Sequence, residues 1–474
     1  MKPEEHRYEP YISRRDMLKR SAAGFGGIAL SSMLTSDATA ATNPLAVKMA
    51  HFAPKAKRMI FLFMHGGPSH LDMFDYKPLL IRDDDKPLPF AKPRVQFSST
   101  SNILRSPWEF KQHGESGAWV SELLPEIASV VDDICFVKSM HGSNAAHGGA
   151  ILKMHTGSDT FVRPSMGSWV AYGLGSENQN LPGFITICPS YQHGGVQNYS
   201  SAFLPAAYHG MPIGNAMMKT VDAKIKFLDN ADIPKEVQRK QLDLLQKWQR
   251  GQLETTGPDR ALEGRIESYE LAFRMQTEVP DIMSIQGETE ATKNLYGLDK
   301  PETQEFGHRC LLARRFSERG VRFVQATHGP DLKWDHHGGL NGGLTKSVNE
   351  IDKPVAGLIK DLKSRGMLDE TLVLWGGEFG RTPGCEGESR DGRDHNPHGF
   401  TMFMAGGGVK PGISHGATDD YGYYAVEDKV HVHDLHATML HLLGLNHESL
   451  TFPSMGRDFR LTDVAGSVVH NIIA

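Results

Sequence analysis

Cysteine is scarce in this chain, with 4 residues among 474. Cys135, Cys188, Cys310 and Cys385 are widely separated and form no CxxC pair, so their spacing predicts no particular disulfide. Cys135 and Cys188 lie within apolar runs, which is typical of buried core residues. We therefore assign cysteine no chemical role.

Long hydrophobic runs are also missing beyond the N-terminus, so no segment after it is expected to cross a bilayer. Charge of one sign is not in excess, because 51 Lys and Arg face 56 Asp and Glu, giving a net charge of −5. This near-balance argues against a nucleic-acid partner. Hydrophobic residues make up 39% of the chain, which is enough for a sizeable core and argues against disorder.

The first 40 residues have the pattern of a targeting segment. Arg14 and Arg15 precede a Gly/Ala-rich, mildly apolar stretch, and "ATA" at 38–40 offers a cleavage site before Ala41. The pattern resembles a twin-arginine leader with Met17 where Phe is usual; the alternative is an ordinary apolar N-terminal helix. A twin-arginine leader implies the twin-arginine translocase as a partner during export, and a folded protein in the periplasm or outside the cell.

Six short apolar runs predict buried strands, at 59–64, 133–140, 183–188, 321–327, 371–376 and 400–406. Such runs are typical of a parallel sheet covered by helices on both faces, and amphipathic helical segments lie between some of them. Residues 219–300 are charged, lack strand-like runs and show helical periodicity. We predict one α/β domain over residues 41–474, with a helical insertion at 219–300.

Histidine and glycine are abundant, with 23 and 49 residues, and polar side chains cluster where the predicted strands end. The candidate site residues in these segments are His65, Asp72, Ser143, His147, Asp335, His337, Glu378, Arg381, His395 and His398. Ligands of open parallel sheets bind at the carboxyl ends of the strands, so we expect these loops to converge. The alternative for each residue is an ordinary turn or helix-capping role.

Asp, Glu and His together supply the oxygen and imidazole ligands that divalent metals use. The candidate metal ligands are His65, Asp72, Asp335, His337, Glu378, His395 and His398. One or two ions of zinc, manganese or calcium are expected, and a pair of ions about 3.5–4 Å apart suits displacement at a phosphorus or sulfur ester. Arg381 is predicted to bind an anionic substrate through its guanidinium fork.

Several motifs resemble those of a known superfamily. "SVNEIDKPVAGLIKDLKSRGMLDETLVLWGGEFGRTP" is similar to the sulfatase segment that ends in "S-D-H-G", and "DLHATMLHLLGL" (434–445) and "ILKMHTG" (151–157) resemble two further sulfatase motifs. The resemblance implies the alkaline phosphatase and sulfatase superfamily. Its fold is three-layer α/β/α with a mostly parallel sheet, and it carries a metal-dependent hydrolase site.

A closer resemblance is to a family of exported sulfatase-like proteins whose function is not established. The shared motifs are "GGPSHLDMFDYKP", "WDHH", "GEFGRTP", "GRDH" and "AGGG". They cover nearly the whole chain after the leader. This family therefore implies the fold more than an activity.

The superfamily resemblance implies roles for some of the candidate ligands. Glu378 falls where "D-H-G" has its metal-binding Asp, and Phe379 replaces the following His. Asp335 and His337 resemble the Asp and His that superfamily phosphatases give to a second metal. His65 stands where the first strand usually ends in a metal-binding Asp. Asp72 lies near His65, and either His395 or His398 would be the late histidine ligand.

The largest departure from the sulfatases is at the nucleophile. His147 occupies the sulfatase Cys or Ser position, and Ser143 lies shortly before it. A histidine there could act as nucleophile, metal ligand or general acid and base, but it cannot become formylglycine. Catalysis in this chain therefore either differs from that of the sulfatases or has been lost.

The leading hypothesis is metal-dependent hydrolysis, outside the cytoplasm, of phosphate or sulfate esters. The substrate would be a small anionic ester or a sulfated or phosphorylated polymer. The alternative is an exported binding or scaffold protein that keeps the fold without turnover. A metal-dependent isomerase or transferase of the same superfamily is a third hypothesis, although no motif here distinguishes it.

Overall fold

The apolar runs form the strands of a central sheet. The computed structural model of the protein describes residues 43–91, 100–226, 228, 230, 232–257, 259–386 and 389–474. Its strands are β1 (Arg58–Met64), β2 (Thr100–Ile103), β3 (Phe110–His113), β4 (Ala118–Ser121), β5 (Ile134–His141), β6 (Phe184–Ile187), β7 (Met211–Ile213), β8 (Phe323–His328), β9 (Thr371–Gly376), β10 (Gly380–Glu386), β11 (Arg393–Asn396), β12 (Phe400–Ala405), β13 (Ile413–His415), β14 (Ala417–Thr418), β15 (Ala425–Glu427), β16 (Val430–His431), β17 (Phe452–Ser454) and β18 (Arg457–Phe459).

Helices connect many of these strands. They are α1 (His70–Met73), α2 (Pro78–Arg82), α3 (Pro125–Ala128), α4 (His147–Thr156), α5 (Met166–Leu174), α6 (Lys235–Thr256), α7 (Arg260–Met283), α8 (Glu290–Leu295), α9 (Gln304–Glu318), α10 (Leu340–Ser364) and α11 (Val432–Leu442). All of these elements belong to one unit, Leu45–Ala474. The predicted leader, with Arg14, Arg15 and the cleavage site before Ala41, lies outside the described residues.

Nine strands form one sheet in the order β13-β5-β12-β9-β1-β8-β6-β7, with β16 also paired to β5. Neighbouring strands run parallel except where β12 pairs with β5 and β9. Every residue of β8, β9 and β12 is buried, so both faces of the sheet are covered. The predicted α/β fold with a mostly parallel central sheet is confirmed, and all six predicted strands are present.

The register of the central strands places their carboxyl ends at the same height. Met64 of β1 pairs with His328 of β8, and Phe63 pairs with Gly376 of β9. The loops after these three strands therefore begin side by side. β12 is antiparallel, so its amino-terminal end lies at the same edge and brings the preceding strand β11 there. His395 lies before β12 in the chain, and it therefore reaches the same edge of the sheet as the loops that follow β1, β8 and β9.

The range 219–300 holds α6, α7 and α8, and its described residues contain no strand. The domain boundaries remain predictions. All four cysteines are buried and none of them forms a disulfide. In the described part of the chain, no helix combines the length and the apolar character needed to cross a membrane.

Candidate metal centre

Four predicted site residues meet at the carboxyl edge of the sheet. They come from the start of α4, the loop between β8 and α10, and strand β11. The four residues are His147, Asp335, His337 and His395. Each of them contributes one potential ligand atom, and these four atoms all lie within 4.8 Å of one another. We call this set the first group. It joins segments almost 250 residues apart in the chain.

Asp335 lies at the centre of the first group. Its Oδ1 is 2.9 Å from Nε2 of His337 and 3.2 Å from Nε2 of His395. Its Oδ2 is 3.3 Å from Nε2 of His147. Burial acts to raise the pKa of Asp335, but the three imidazoles and the nearby Arg381 guanidinium outweigh it and hold the pKa far below its usual range. The carboxylate is therefore ionised and able to act as an anionic ligand.

Glu378 orients His147. Its Oε1 lies 2.6 Å from Nδ1 of His147 and also accepts the backbone N–H of Gly66 at 3.1 Å. A carboxylate here can only accept, so Nδ1 of His147 carries the proton. Nε2 of His147 is buried, faces Asp335 and has no hydrogen-bond partner among the described residues. Nε2 of His147 is thus presented to the first group, with Glu378 behind it. Burial acts to lower the pKa of His147, but Asp335 and Glu378 outweigh it and raise that pKa.

The other two histidines are held in the same way. Nδ1 of His395 lies 2.7 Å from the carbonyl oxygen of Ala145, and Nδ1 of His337 is hydrogen-bonded to Glu386. Burial lowers the pKa of His395 to about 4, so its imidazole is neutral. Each of the three histidines therefore gives Nδ1–H to an acceptor and turns Nε2 toward the first group. This is the usual arrangement of metal-ligating histidines, and the donor set fits a divalent ion.

A second group overlaps the first and consists of His337, Glu386 and Asp394. Oδ1 of Asp394 accepts the backbone N–H of His395 at 2.7 Å, whereas its buried Oδ2 has no hydrogen-bond partner among the described residues. Burial raises the pKa of Asp394. An unpartnered carboxylate oxygen beside Glu386 and His337 is the kind of position that a cation would satisfy.

Residues 56–473 match the family model described as a protein of unknown function, DUF1501. The chain belongs to the DUF1501 family. The matched range contains all members of both groups, and the membership predicted from the motifs is confirmed at this level.

Solved structures similar to this DUF1501 protein include the lipoteichoic acid synthase LtaP from Listeria monocytogenes, at 11% identity, TM-score 0.35, 89% of this chain and 80% of that chain. The PsFucS1 sulfatase from Pseudoalteromonas sp. is 11% identical with a TM-score of 0.35, and the match covers 84% of this chain and 69% of the sulfatase. The alkaline phosphatase from the Antarctic bacterium TAB5 is 10% identical with a TM-score of 0.34, and the match covers 83% of this chain and 99% of the phosphatase. Such TM-scores transfer neither residue roles nor an activity. The search of curated proteins gave no match.

Arg381 lies in the DUF1501 structure where it cannot contact a substrate. It is 1% exposed, and its Nε donates to Gly67 O at 2.8 Å. Nη1 donates to Arg393 O at 3.1 Å, and Nη2 donates to Oδ1 of Asp335 at 2.7 Å and also to the carbonyls of Gly66 and Trp334. The predicted substrate contact is therefore corrected: this guanidinium is committed to the protein and holds Asp335 from behind.

Asp72 is likewise not a ligand of either group. Its two carboxylate oxygens accept from Arg393 at 2.7 and 3.0 Å, and both side chains are fully buried. The bidentate pair joins α1 to β11, which carries His395. The residue predicted as a first-loop ligand therefore serves as the counter-charge of a buried arginine.

Four more predicted residues lie outside both groups. Glu378 acts on His147 instead, as described above. His65 is buried, and neither of its ring nitrogens has a hydrogen-bond partner among the described residues. His398 packs against Tyr424 with 5.4 Å between ring centroids, and Ser143 is exposed and accepts from Lys153 at 2.7 Å. Of the three predicted catalytic residues, the structure places His147 alone in the first group.

Glu386 and Asp394 are functional candidates that the sequence did not select. Glu386 ends β10 seven residues before β11, and nothing in "CEGESRDGRDH" separates it from the other carboxylates of that turn. Asp394 belongs to the "GRDH" motif, in which the neighbouring His395 is the predicted ligand. The hydrogen bond between His395 and Ala145 O could not be predicted from the sequence, because its acceptor is a backbone carbonyl that every residue has.

Gly66 allows the β1 loop and the β8 loop to approach each other. Its φ is +121°, and a Cβ there would come within 2.8 Å of Trp334 N and 2.9 Å of Asp335 N. We expect Gly66→Ala to lower the free energy of unfolding by about 1–3 kcal/mol and to displace Asp335, since strain and overlap coincide. Urea unfolding and metal content would measure both effects. Gly251→Ala, in a helix with open space around the added Cβ, should be neutral or slightly stabilising.

The role of Glu378 can be tested by Glu378→Gln. Glutamine can keep a hydrogen bond to Nδ1 of His147 but lacks the charge, so we expect the metal affinity to fall by about 10–100-fold with the fold intact. The measurement is metal affinity by competition with a chelating dye. Glu370→Gln changes an exposed carboxylate that pairs with Lys57 just before β9, at the opposite end of that strand from Glu378. It is the control and should leave the affinity unchanged. Equal affinities for wild type and Glu378→Gln would contradict the orienting role.

Proposed function

We propose that this DUF1501 protein is a metal-dependent hydrolase of phosphate or sulfate esters that acts outside the cytoplasm. The observation that carries the proposal is the first group, in which three histidines and Asp335 turn ligand atoms toward one point. Hydrogen bonds from the three Nδ1 atoms fix that arrangement. Three imidazole Nε2 atoms and a carboxylate that stays ionised form a donor set for a divalent cation, which would displace any Nε2 proton on binding.

Three imidazoles and one carboxylate favour zinc or manganese over calcium, because calcium prefers an all-oxygen shell. A divalent ion held there would polarise the ester oxygen and activate water. The second group, with Glu386 and Asp394, offers carboxylate oxygens next to His337 for a second ion. One or two ions remain the expectation, as predicted from the sequence.

The protein side chains shape the surroundings of the reaction. The ring centroid of Phe379 lies 4.8 Å from that of His147 and 4.6 Å from that of His395, so Phe379 forms an apolar wall beside both ligands. This wall limits the access of bulk water, which strengthens electrostatic interactions in the site. The half-buried His193 also lies near His147, at a distance of 5.9 Å between ring centroids.

A metal-binding protein without turnover is the second candidate. It is favoured by the place of His147, which stands at the sulfatase nucleophile position but faces the first group as a ligand. Ser143, the nearest hydroxyl in that motif, is exposed and bonded to Lys153. No side-chain nucleophile of the sulfatase kind is therefore supplied by this segment, so hydrolysis requires an activated water.

The test uses the leader-free protein. Elemental mass spectrometry should find about one or two equivalents of divalent metal, and para-nitrophenyl phosphate or sulfate should be hydrolysed. Chelation should abolish turnover, and zinc or manganese should restore it while calcium should not. Metal without turnover on a broad panel of phosphate and sulfate esters would favour the binding protein. No metal, in a folded sample offered zinc and manganese, would reject both.

Export is proposed from the sequence of the first 40 residues. Replacement of Arg14 and Arg15 by lysine is expected to leave precursor in the cytoplasm, because the pair is the defining feature of a twin-arginine leader. Cell fractionation and immunoblotting would measure the distribution. Lys19→Arg, which keeps the charge and the pair, is the control. Equal export of the double variant and the control would reject twin-arginine transport.

A further inference from the structure

A large cleft is lined in part by the β8 loop that also carries Asp335, and it is separate from both candidate groups. Its volume is about 1010 Å³, and its walls come from the end of β8, the first turns of α9 and α10, and the loop after β7. None of its lining residues belongs to the first or second group. Met218, Phe306 and Pro330 give part of the wall an apolar character. A volume of this size suits an organic ligand rather than a single ion.

Arg309 is the least exposed lysine or arginine of this cleft, at 5% exposure. Its Nε donates to Oγ1 of Thr220 at 3.0 Å, and its Nη1 donates to the carbonyl oxygen of Thr327 at 2.6 Å. The guanidinium forms no ion pair within the described residues. Glu305, one helical turn earlier, instead accepts the backbone N–H of Thr220 at 2.9 Å. A charge buried without an ionic partner is costly unless something else supplies the counter-charge.

The rim of the cleft adds positive charge. Lys219 and Lys346 are exposed lining residues, and neither forms an ion pair in the described part of the chain. Lys333 is different, because Glu350 pairs with it at 2.5 Å. The walls hold four basic side chains and three carboxylates, and among these only Lys333 and Glu350 form an ion pair with each other, so three basic side chains remain against two carboxylates. The unpaired charge of the cleft is therefore cationic.

We propose that this cleft binds an organic oxyanion, in which a carboxylate, sulfate or phosphate group faces Arg309 and an apolar body packs against Met218 and Phe306. Guanidinium donors recognise planar and tetrahedral oxyanions through charge-assisted hydrogen bonds. Lys219 and Lys346 attract the same group from the rim. The site is independent of the hydrolase proposal, since it needs neither a metal nor a cleavable bond.

The test uses probes that contain no ester bond, so hydrolysis cannot enter the measurement. Isothermal titration calorimetry with naphthalenesulfonate and naphthoate should detect binding to the metal-free and the metal-loaded protein alike. The neutral analogue naphthol should bind at least about tenfold more weakly, because it lacks the oxyanion. Lys219→Glu combined with Lys346→Glu should raise the Kd of the sulfonate by at least about tenfold. Arg309→Gln should abolish binding.

Lys240→Glu combined with Lys247→Glu is the matched control. Both lysines are exposed on α6, outside the cleft, and the change in net charge is the same. The control should change the Kd by less than about twofold, and unfolding curves would verify that each variant is folded. The proposal is overturned if neither probe binds at millimolar concentration, if both double variants weaken binding equally, or if naphthol binds as tightly as the sulfonate.

Discussion

Replacement of Asp335 by asparagine is expected to remove the metal and, with it, any ester hydrolysis. Asparagine has nearly the same shape, but it offers a neutral oxygen in place of the one carboxylate of the first group. Three neutral imidazoles would then have to hold a divalent cation with no anionic ligand among them. Metal content should fall from about one or two equivalents to less than about a tenth of an equivalent, measured by elemental mass spectrometry after gel filtration.

The fold should survive this change. Arg381 keeps its bonds to Gly66 O, Gly67 O and Arg393 O when its carboxylate partner is neutralised. His113→Ala, a change on the half-buried strand β3 outside both groups, is the control and should retain full metal content. A folded Asp335→Asn protein with undiminished metal would show that the ion is held elsewhere.

Replacement of Asp72 by alanine is expected to produce the largest loss of stability while leaving the metal ligands in place. The variant leaves the charge of Arg393 buried and unpaired, because both members of the pair are fully buried. Loss of one partner of such a pair costs about 3–5 kcal/mol. Urea unfolding should report this decrease in the free energy of unfolding, and metal content should be measured under native conditions.

Asp84→Ala provides the matched comparison. Asp84 also pairs with an arginine, Arg390, at 2.6 Å, but both side chains are about one-third exposed. Water screens such a pair, so its loss should cost less than about 1 kcal/mol. Loss of metal in a stably folded Asp72→Ala protein would return Asp72 to the ligand role predicted from the sequence. Retention of metal with reduced stability would establish it as the partner of Arg393.

The sheet was predictable because its strands are buried on both faces. The runs at 59–64 and 371–376 are almost entirely apolar, so they stand out from their surroundings. The direction of β12 was not predictable, because a buried strand has the same composition whether it runs parallel or antiparallel to its neighbours. The antiparallel direction of β12 is what brings His395 to the site.

The candidate site was predictable by region but not by role. His147, Asp335, His337 and His395 were all selected, because each lies in a polar segment next to a predicted strand. Asp72 and Arg381 lie in equally polar segments, but each is paired within the protein by residues more than 40 positions away. Pairing between distant segments decides whether an ionisable group is a ligand or a counter-charge. These pairings cannot be read from the sequence, so a metal ligand and a buried counter-charge look alike there.

Arg381 has a consequence for when the proposed metal would be bound. Its guanidinium bonds to carbonyl oxygens in the β1 loop and the β8 loop, to the backbone of β11, and to Asp335. These contacts pre-organise three segments of the metal centre without any help from the ion. Binding then costs little conformational entropy, in contrast to small zinc domains that fold only around their metal. The apo-protein should therefore be as well folded as the holo-protein, and loading can take place on either side of the membrane that the protein is proposed to cross.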